Sequence, residues 1–284
     1  MPVLRTVREM RGLSRRLRGA GSSIVLVPTM GSLHEGHLSL IDRARSLADR
    51  VCVSIFVNPT QFGPGEDFSR YPRDLARDIE LAEARGADLI FAPEEDEMYP
   101  AAQRVWVDPG PLADTMCGEG RPGHFRGVLT IVLKLFQIVE PSAAVFGRKD
   151  FQQSVLIKAM CRDLALPVDL DVAPIVRASD GLALSSRNVY LSDEDRTRAL
   201  GLSRSLRTAR ALFADGETDA GRLQQAVAGV LETAGLEPEY VAVVDPESLD
   251  KSAMAGARSV CAVAAVVGST RLIDNTPLGG PPDL

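Results

Sequence analysis

The chain has 284 residues, 45% hydrophobic and 25% charged, with a formal net charge of −6. That length favours about two domains with a sizeable buried core. The acidic balance argues against a nucleic-acid binder, which needs a basic footprint, and the longest apolar run, Val260–Gly268, is too short to span a bilayer. Cys52, Cys117, Cys161 and Cys261 form no Cys-x-x-Cys pair, so reduced thiols in a cytoplasmic protein are expected. The arginine-bearing N-terminus lacks the apolar centre of a signal peptide. With a strand expected from Ile24, it leaves no room for a removable extension.

Residues 4–19 read as a helix with a basic outer face. Ile24–Val27 reads as a buried strand ended by Pro28, which cannot donate to a ladder. After a polar loop, His37 opens a segment with Leu38, Ile41, Ala44 and Ala48 on one helical face. Strands are expected at Val51–Val57, Asp88–Phe91, Val105–Val107, Ala143–Phe146 and Val168–Val172. Helices are expected at Asp74–Arg85, Phe125–Val139 and Phe151–Leu164. This alternation predicts an α/β fold, a Rossmann-like doubly wound parallel sheet. Beyond about Arg177 the pattern changes. Leu184–Leu191 reads as turn plus strand, Ser192–Asp195 as a capping box opening a helix to about Phe213, and Asp219–Ala234 as a second helix. Strands follow at Tyr240–Val244, Ser259–Val267 and Arg271–Ile273. A smaller C-terminal α+β domain is therefore expected over 176–284, after a first domain over 1–175, with a hinge near Ala173–Arg177. The Pro/Gly-rich tail Pro277–Leu284 is expected to fray.

Chemistry concentrates around Ile24–Leu40. The loop Thr29–Gly36 leads into a helix N-terminus, which offers unpaired N–H groups and a positive dipole end to an anion. Gly31 and Gly36 allow close backbone approach, and His34 and His37 add donors whose charge is tunable near neutral pH. By itself the loop suits a solvated turn equally well. Zinc is disfavoured, because the spacing is not i, i+4 and no nearby Cys or Glu completes a site.

Pro28-Thr29-Met30-Gly31-x-Leu33-His34-x-Gly36-His37 resembles the signature of the pantothenate synthetase (pantoate–β-alanine ligase) family, within the His-x-Gly-His nucleotidyl-transferring superfamily. Three further runs extend the likeness. Ser54–Phe62 sets Asn58 and Gln61 beyond a strand end, where ligands bind in open α/β sheets. Phe146–Gln153 holds Gly147, Arg148, Lys149, Asp150 and Gln153, with Arg148 where the family often has Glu or Gln. Leu184-Ser185-Ser186-Arg187-Asn188 resembles the family's Met-Ser-Ser-Arg-Asn. Gln137 and Ser142 replace a frequent Asn and Asp. Gly268–Asn275 is also family-like, and the likeness covers nearly the whole chain. In Gly120–Gly127, Arg121 and Arg126 could serve acidic groups; Arg121 is a candidate carboxylate contact, and His124 is given no catalytic role.

The resemblance implies ATP-dependent ligation of (R)-pantoate and β-alanine through a pantoyl adenylate, releasing pyrophosphate and AMP. It implies ATP contacts from Met30, Gly31, Ser32, Leu33, His34, Glu35, Gly36 and His37, from Gly147, Arg148, Lys149 and Asp150, and from Val176, Leu184, Ser185, Ser186 and Arg187. Ile175 and Val176 would lie against adenine. Gln61 and Gln153 would hold pantoate, with Gln61 near β-alanine. His37, His34 and Lys149 would be catalytic, with His37 most often the proton donor. Mg²⁺ on the phosphates, closure of the C-terminal domain over the site, and a homodimer are implied likewise; neither nucleic acid nor membrane is an expected partner. The rivals are another adenylyl-transferring enzyme of the superfamily and a catalytically silent nucleotide-binding regulator.

Overall fold

A computed structural model describes residues 1–280. Two units with separate cores make up this length: Met1–Gly110, Arg121–Arg148 and Leu156–Ala173 in one, and Pro111–Gly120, Lys149–Val155 and the described residues from Pro174 onward in the other.

The first unit begins with a two-residue strand β1 (Val3–Leu4) and helix α1 (Val7–Gly19), where a helix had been expected from residue 4. Thr6 and Glu9 form a full capping box that sets the helix start. Next come β2 (Ile24–Thr29), α2 (Glu35–Ala44), β3 (Arg50–Ile55), α3 (Leu75–Ala84), β4 (Leu89–Phe91) and the short α4 (Glu95–Met98). The short helix α5 (Met116–Gly120) belongs to the second unit. Helix α6 (His124–Val139), β5 (Ala143–Gly147), α7 (Phe151–Asp163) and β6 (Asp169–Ala173) complete the first half of the chain. Residues 105–107 form no strand; Val105 is 80% exposed and Val107 N–H is taken by Thr130 Oγ1 at 3.0 Å.

The six strands form one parallel sheet, in the order β1-β4-β3-β2-β5-β6, with helices on both faces. The strand order reverses between β2 and β5, which places a crevice at their carboxyl ends. The core is the apolar faces of β2, β3 and α2, among them Val25, Val27, Val53, Leu38 and Ile41. Pro28 lies inside β2 rather than ending it. Thr29 C=O accepts from Phe56 N–H at 3.1 Å, so Thr29 turns its peptide groups toward β3. Pro28 therefore faces the β5 side, where pairing stops at Leu26, and its missing N–H costs no ladder bond.

In the second unit, the turn plus strand expected over 184–191 is instead a 3₁₀ helix, Ser186–Tyr190. Helices α8 (Asp193–Ala214) and α9 (Ala220–Thr233) follow, then the antiparallel sheet β7 (Pro238–Val244), β8 (Val260–Val267) and β9 (Thr270–Pro277). Cys261, Val263, Ala265 and Val267 of β8 pack into the core formed with α8 and α9. Val260 and Ala262 face the other way, onto Met116, Phe151 and Val155. Strand β8 is thus covered on both faces, which is why it reads as a continuous apolar run. The same contacts draw segments 111–120 and 149–155 into this unit. The expected fraying does not begin at Pro277, which ends β9, and Leu278 is buried; positions 281–284 of that tail lie outside the described residues.

Candidate functional site

The loop between β2 and α2 is shaped by two consecutive residues with left-handed φ, Gly31 at 82° and Ser32 at 52°. What holds them is a residue the sequence reading missed. Asp78, on α3 and 2% exposed, accepts the N–H of Ser32 on Oδ2 at 2.8 Å and that of Leu33 on Oδ1 at 2.7 Å. A Cβ on Gly31 would stand 2.8 Å from Asp78 Oδ2, so only glycine lets the carboxylate approach. Burial raises the Asp78 carboxyl above its ordinary value, against the lowering effect of these N–H bonds. Its only sequence signal was an acid on the apolar face of a helix. Thr29 adds a brace, donating to Ser54 C=O at 2.8 Å and accepting Gly31 N–H at 3.2 Å.

The helix opens at Glu35 rather than His37, because His34 is its cap: Nδ1 accepts the N–H of Gly36 at 3.1 Å. A neutral His34 therefore carries its proton on Nε2, ready to donate. His37 follows one turn on, and the two rings lie 4.1 Å apart, tilted by 35°. Glu35, expected beside ATP, is exposed and pairs with Arg85. Met30 Sδ accepts from Gln61 Nε2 at 3.1 Å, so residues 30–37 and Gln61 are brought together at the carboxyl edge of β2 and β3.

Arg121 is committed within the protein. Its guanidinium grips Glu66 through two bonds, Nε to Oε1 at 2.7 Å and Nη2 to Oε2 at 2.6 Å, and also donates to Gln61 C=O at 3.3 Å. Burial alone would raise the Glu66 carboxyl, but Arg121 holds it below the usual range. Arg126 stacks on the Trp106 ring at 4.9 Å. Gln137 and Ser142 lie at the amino ends of β2 and β5, where Ser142 N–H donates to Ile24 C=O at 2.9 Å.

Gly147 ends β5 at the switch point, and Arg148 opens a 3₁₀ turn that runs to Asp150. On the second unit, Lys149 C=O accepts from Asn275 Nδ2 at 3.1 Å, and its ammonium lies 3.6 Å from Asp150 Oδ1. Asn275, 2% exposed, was legible only as part of a family-like run. The paired glutamines separate cleanly. Gln152 is saturated by backbone: it donates to Leu112 and Thr115 C=O at 3.0 and 2.9 Å and accepts Cys117 N–H at 3.0 Å. Gln153 is half-buried, and its amide has no such commitment to the described residues. Val176 C=O accepts Leu184 N–H at 3.0 Å. Ser185 then caps the 3₁₀ helix, accepting Arg187 N–H at 3.3 Å, and Ser186 is buried. Arg177 anchors this stretch through a bidentate pair with Asp274 at 2.7 and 2.9 Å.

Among the described residues no cluster of three or more His, Cys, Asp or Glu side chains is placed to hold a metal ion. No helix among the described residues is long and apolar enough to cross a membrane. The four cysteines are buried and unbonded to one another; burial pushes the Cys52 thiol up to about 12, a value that keeps it inert.

The parallel sheet and the capped histidine loop at its switch point define a Rossmann-like α/β protein of the His-x-Gly-His type. A family model described as pantoate-beta-alanine ligase matches residues 2–277. The pantothenate synthetase of Geobacter sulfurreducens is 51% identical over 280 residues, covering 98% of this chain and 99% of that protein. The crystal structure of pantothenate synthetase from Thermus thermophilus superposes with a TM-score of 0.94 at 44% identity, covering 99% of this chain and 100% of that one. That of pantoate-beta-alanine ligase from Francisella tularensis, complexed with beta-gamma ATP and beta-alanine, gives 0.83 at 34% identity, with 98% of each chain covered. The chain belongs to the pantoate–β-alanine ligase family.

Proposed function

We propose that this protein joins (R)-pantoate to β-alanine in two steps at the expense of ATP. A pantoate carboxylate oxygen attacks the α-phosphorus, the bond to pyrophosphate breaks, and pantoyl adenylate forms. The β-alanine amine then attacks the acyl carbon, and AMP leaves with the bonding electrons as the amine gives up a proton. No protein nucleophile is consumed, so catalysis rests on positioning and charge stabilisation. The observation that carries this reading is the loop locked by Asp78, which sets two histidines and a helix N-terminus at the switch point. The ATP-bound Francisella relative supports it.

In this reading the backbone of Met30–Gly36 approaches the nucleotide, and His34 Nε2 and His37 donate to phosphate oxygens. His37 is the proton donor. Lys149, Ser185, Ser186 and Arg187 stabilise the charge that develops on the leaving pyrophosphate. Gly147, Arg148 and Asp150 hold the nucleotide, Val176 and Leu184 offer backbone, and Ile175 with Val176 faces adenine. Gln61 and Gln153 hold pantoate, and Gln61 also borders β-alanine. Mg²⁺ would enter with ATP, held by phosphate and water oxygens; no step here depends on a protein ligand to it. We further propose a cytoplasmic homodimer, which sedimentation equilibrium would reveal as twice the chain mass.

The test is pyrophosphate release from Mg-ATP with and without pantoate, using related hydroxy acids as controls. Release that requires pantoate is the expected result. Release indifferent to pantoate would point to a different adenylyl-transferring enzyme, and no release at all to a silent nucleotide-binding regulator.

A further inference from the structure

Gln61 is gripped twice, and both grips lead away from its ligand-facing amide. Its backbone carbonyl accepts from His124 Nδ1 at 2.7 Å, while His124 Nε2 lies 3.0 Å from Arg121 Nη1, the guanidinium already fixed by Glu66. The backbone is thus set, leaving the side-chain amide to be oriented.

That orientation follows from a chain of forced choices. Asn58 is 1% exposed and lies 3.3 Å from Gly127 C=O. A carbonyl only accepts, so Asn58 must turn Nδ2 toward it. Asn58 Oδ1 then faces the hydroxyls of Tyr99 and Thr60, which donate to it at 2.7 and 2.9 Å. The same Nδ2 donates to Gln61 at 3.0 Å, so the Gln61 atom it meets is Oε1. Gln61 Nε2 is left on the far side. One of its hydrogens reaches Met30 Sδ, a weak acceptor, and the other can meet a substrate. The Tyr99 ring is itself held, with Lys134 Nζ 4.2 Å from its centroid and the Phe56 ring at 6.3 Å.

We propose that Tyr99 is a positioning residue for hydroxy-acid recognition: through Asn58 it locks the Gln61 amide so that the substrate meets an N–H donor and not a carbonyl. The group that Gln61 reads is then an acceptor oxygen, carboxylate or hydroxyl. The inference rests on the reading that Gln61 holds pantoate.

A double-mutant cycle tests it, with KM for pantoate and for ATP measured separately. Tyr99→Phe removes one hydroxyl and keeps the ring. It should raise the pantoate KM about fivefold, as loss of one net hydrogen bond does, and leave the ATP KM unchanged. Gln61→Ala should raise the pantoate KM by roughly 10–100-fold, the scale of a bond to a charged group. In the Gln61→Ala background Tyr99→Phe should add nothing, because its effect passes through the missing amide. Gln61→Glu keeps the acceptor for Asn58 but loses the donor, and should be as damaging to pantoate as Gln61→Ala. A Tyr99→Phe effect that is absent, or that persists in the Gln61→Ala background, overturns the role of Tyr99 while leaving pantoate on Gln61. An unimpaired Gln61→Glu variant overturns the donor assignment. A normal pantoate KM in Gln61→Ala removes pantoate from Gln61 and overturns both readings.

Discussion

In the proposed reaction His34 and His37 divide the work of the loop between structure and chemistry. His34 caps α2 through Nδ1, so replacing it loses a cap worth about 1 kcal/mol as well as the proposed phosphate donor. His37 lies one turn beyond that cap, and His37→Ala should therefore separate the two. Adenylation should fall roughly 10²–10³-fold, the usual effect of losing one transition-state donor, with thermal stability near wild type. Near-normal adenylation in a folded variant would remove His37 from the mechanism. Asp78 makes a second prediction, one that depends on pH. Burial raises its folded-state carboxyl above the ordinary 3.8. The folded protein then keeps this proton to higher pH than the unfolded chain does. The stability it contributes is full below 3.8 and is lost as pH rises through the raised value. Asp78→Asn does not titrate. Its melting temperature relative to wild type should improve as pH is raised from below 3.8 toward neutrality, on top of a constant loss from setting an NH₂ against one loop N–H. A pH-independent difference, or one that worsens toward neutrality, would refute this account.

At the scale of elements, the second unit depends on a buried ion pair. Arg177, just after β6, meets Asp274 in β9 with side chains 8% and 2% exposed. Removing one partner of such a pair strands the other charge and costs about 3–5 kcal/mol. Asp274→Ala should show that loss in urea unfolding, while an apolar replacement of both residues should recover part of it. A loss within about 1 kcal/mol, the bound for exposed pairs, would mean that the guanidinium finds water. The elements also show what periodicity can reveal. Helices α3, α6, α7, α8 and α9 lie within a residue or two of their sequence-based bounds, because each carries an apolar face and a clear cap or breaker. Strand β1 and the 3₁₀ helix at 186–190 were missed. Two residues carry no period, and a turn rich in Ser, Arg and Asn takes its conformation from the groups that bond it, here Asn188 Nδ2 to Ala183 C=O at 3.0 Å.

At the scale of the whole protein, the reaction itself can be followed by isotope. Pantoate labelled with ¹⁸O in its carboxylate should deliver one labelled oxygen to AMP, since that oxygen bonds to the α-phosphorus and stays with it. Label in phosphate would indicate an acyl phosphate; unlabelled AMP with pyrophosphate released would mean that pantoate never attacks the α-phosphorus. The family, the parallel α/β sheet and the loops that carry His34, His37, Gln61, Lys149 and Arg187 were all legible in the sequence. Apolar period, breakers and short motifs are local properties, written in residues that are neighbours along the chain. What holds those loops was not legible. Asp78 clamps Ser32 from 46 positions away, Asn275 reaches Lys149 across 126, and Tyr99 meets Asn58 across 41. Residue order alone was enough to propose which side chains face the chemistry; how they are oriented emerged only in the folded chain. Orientation comes from hydrogen bonds between buried groups far apart in sequence, whose need for a partner acts only once folding has excluded water from them.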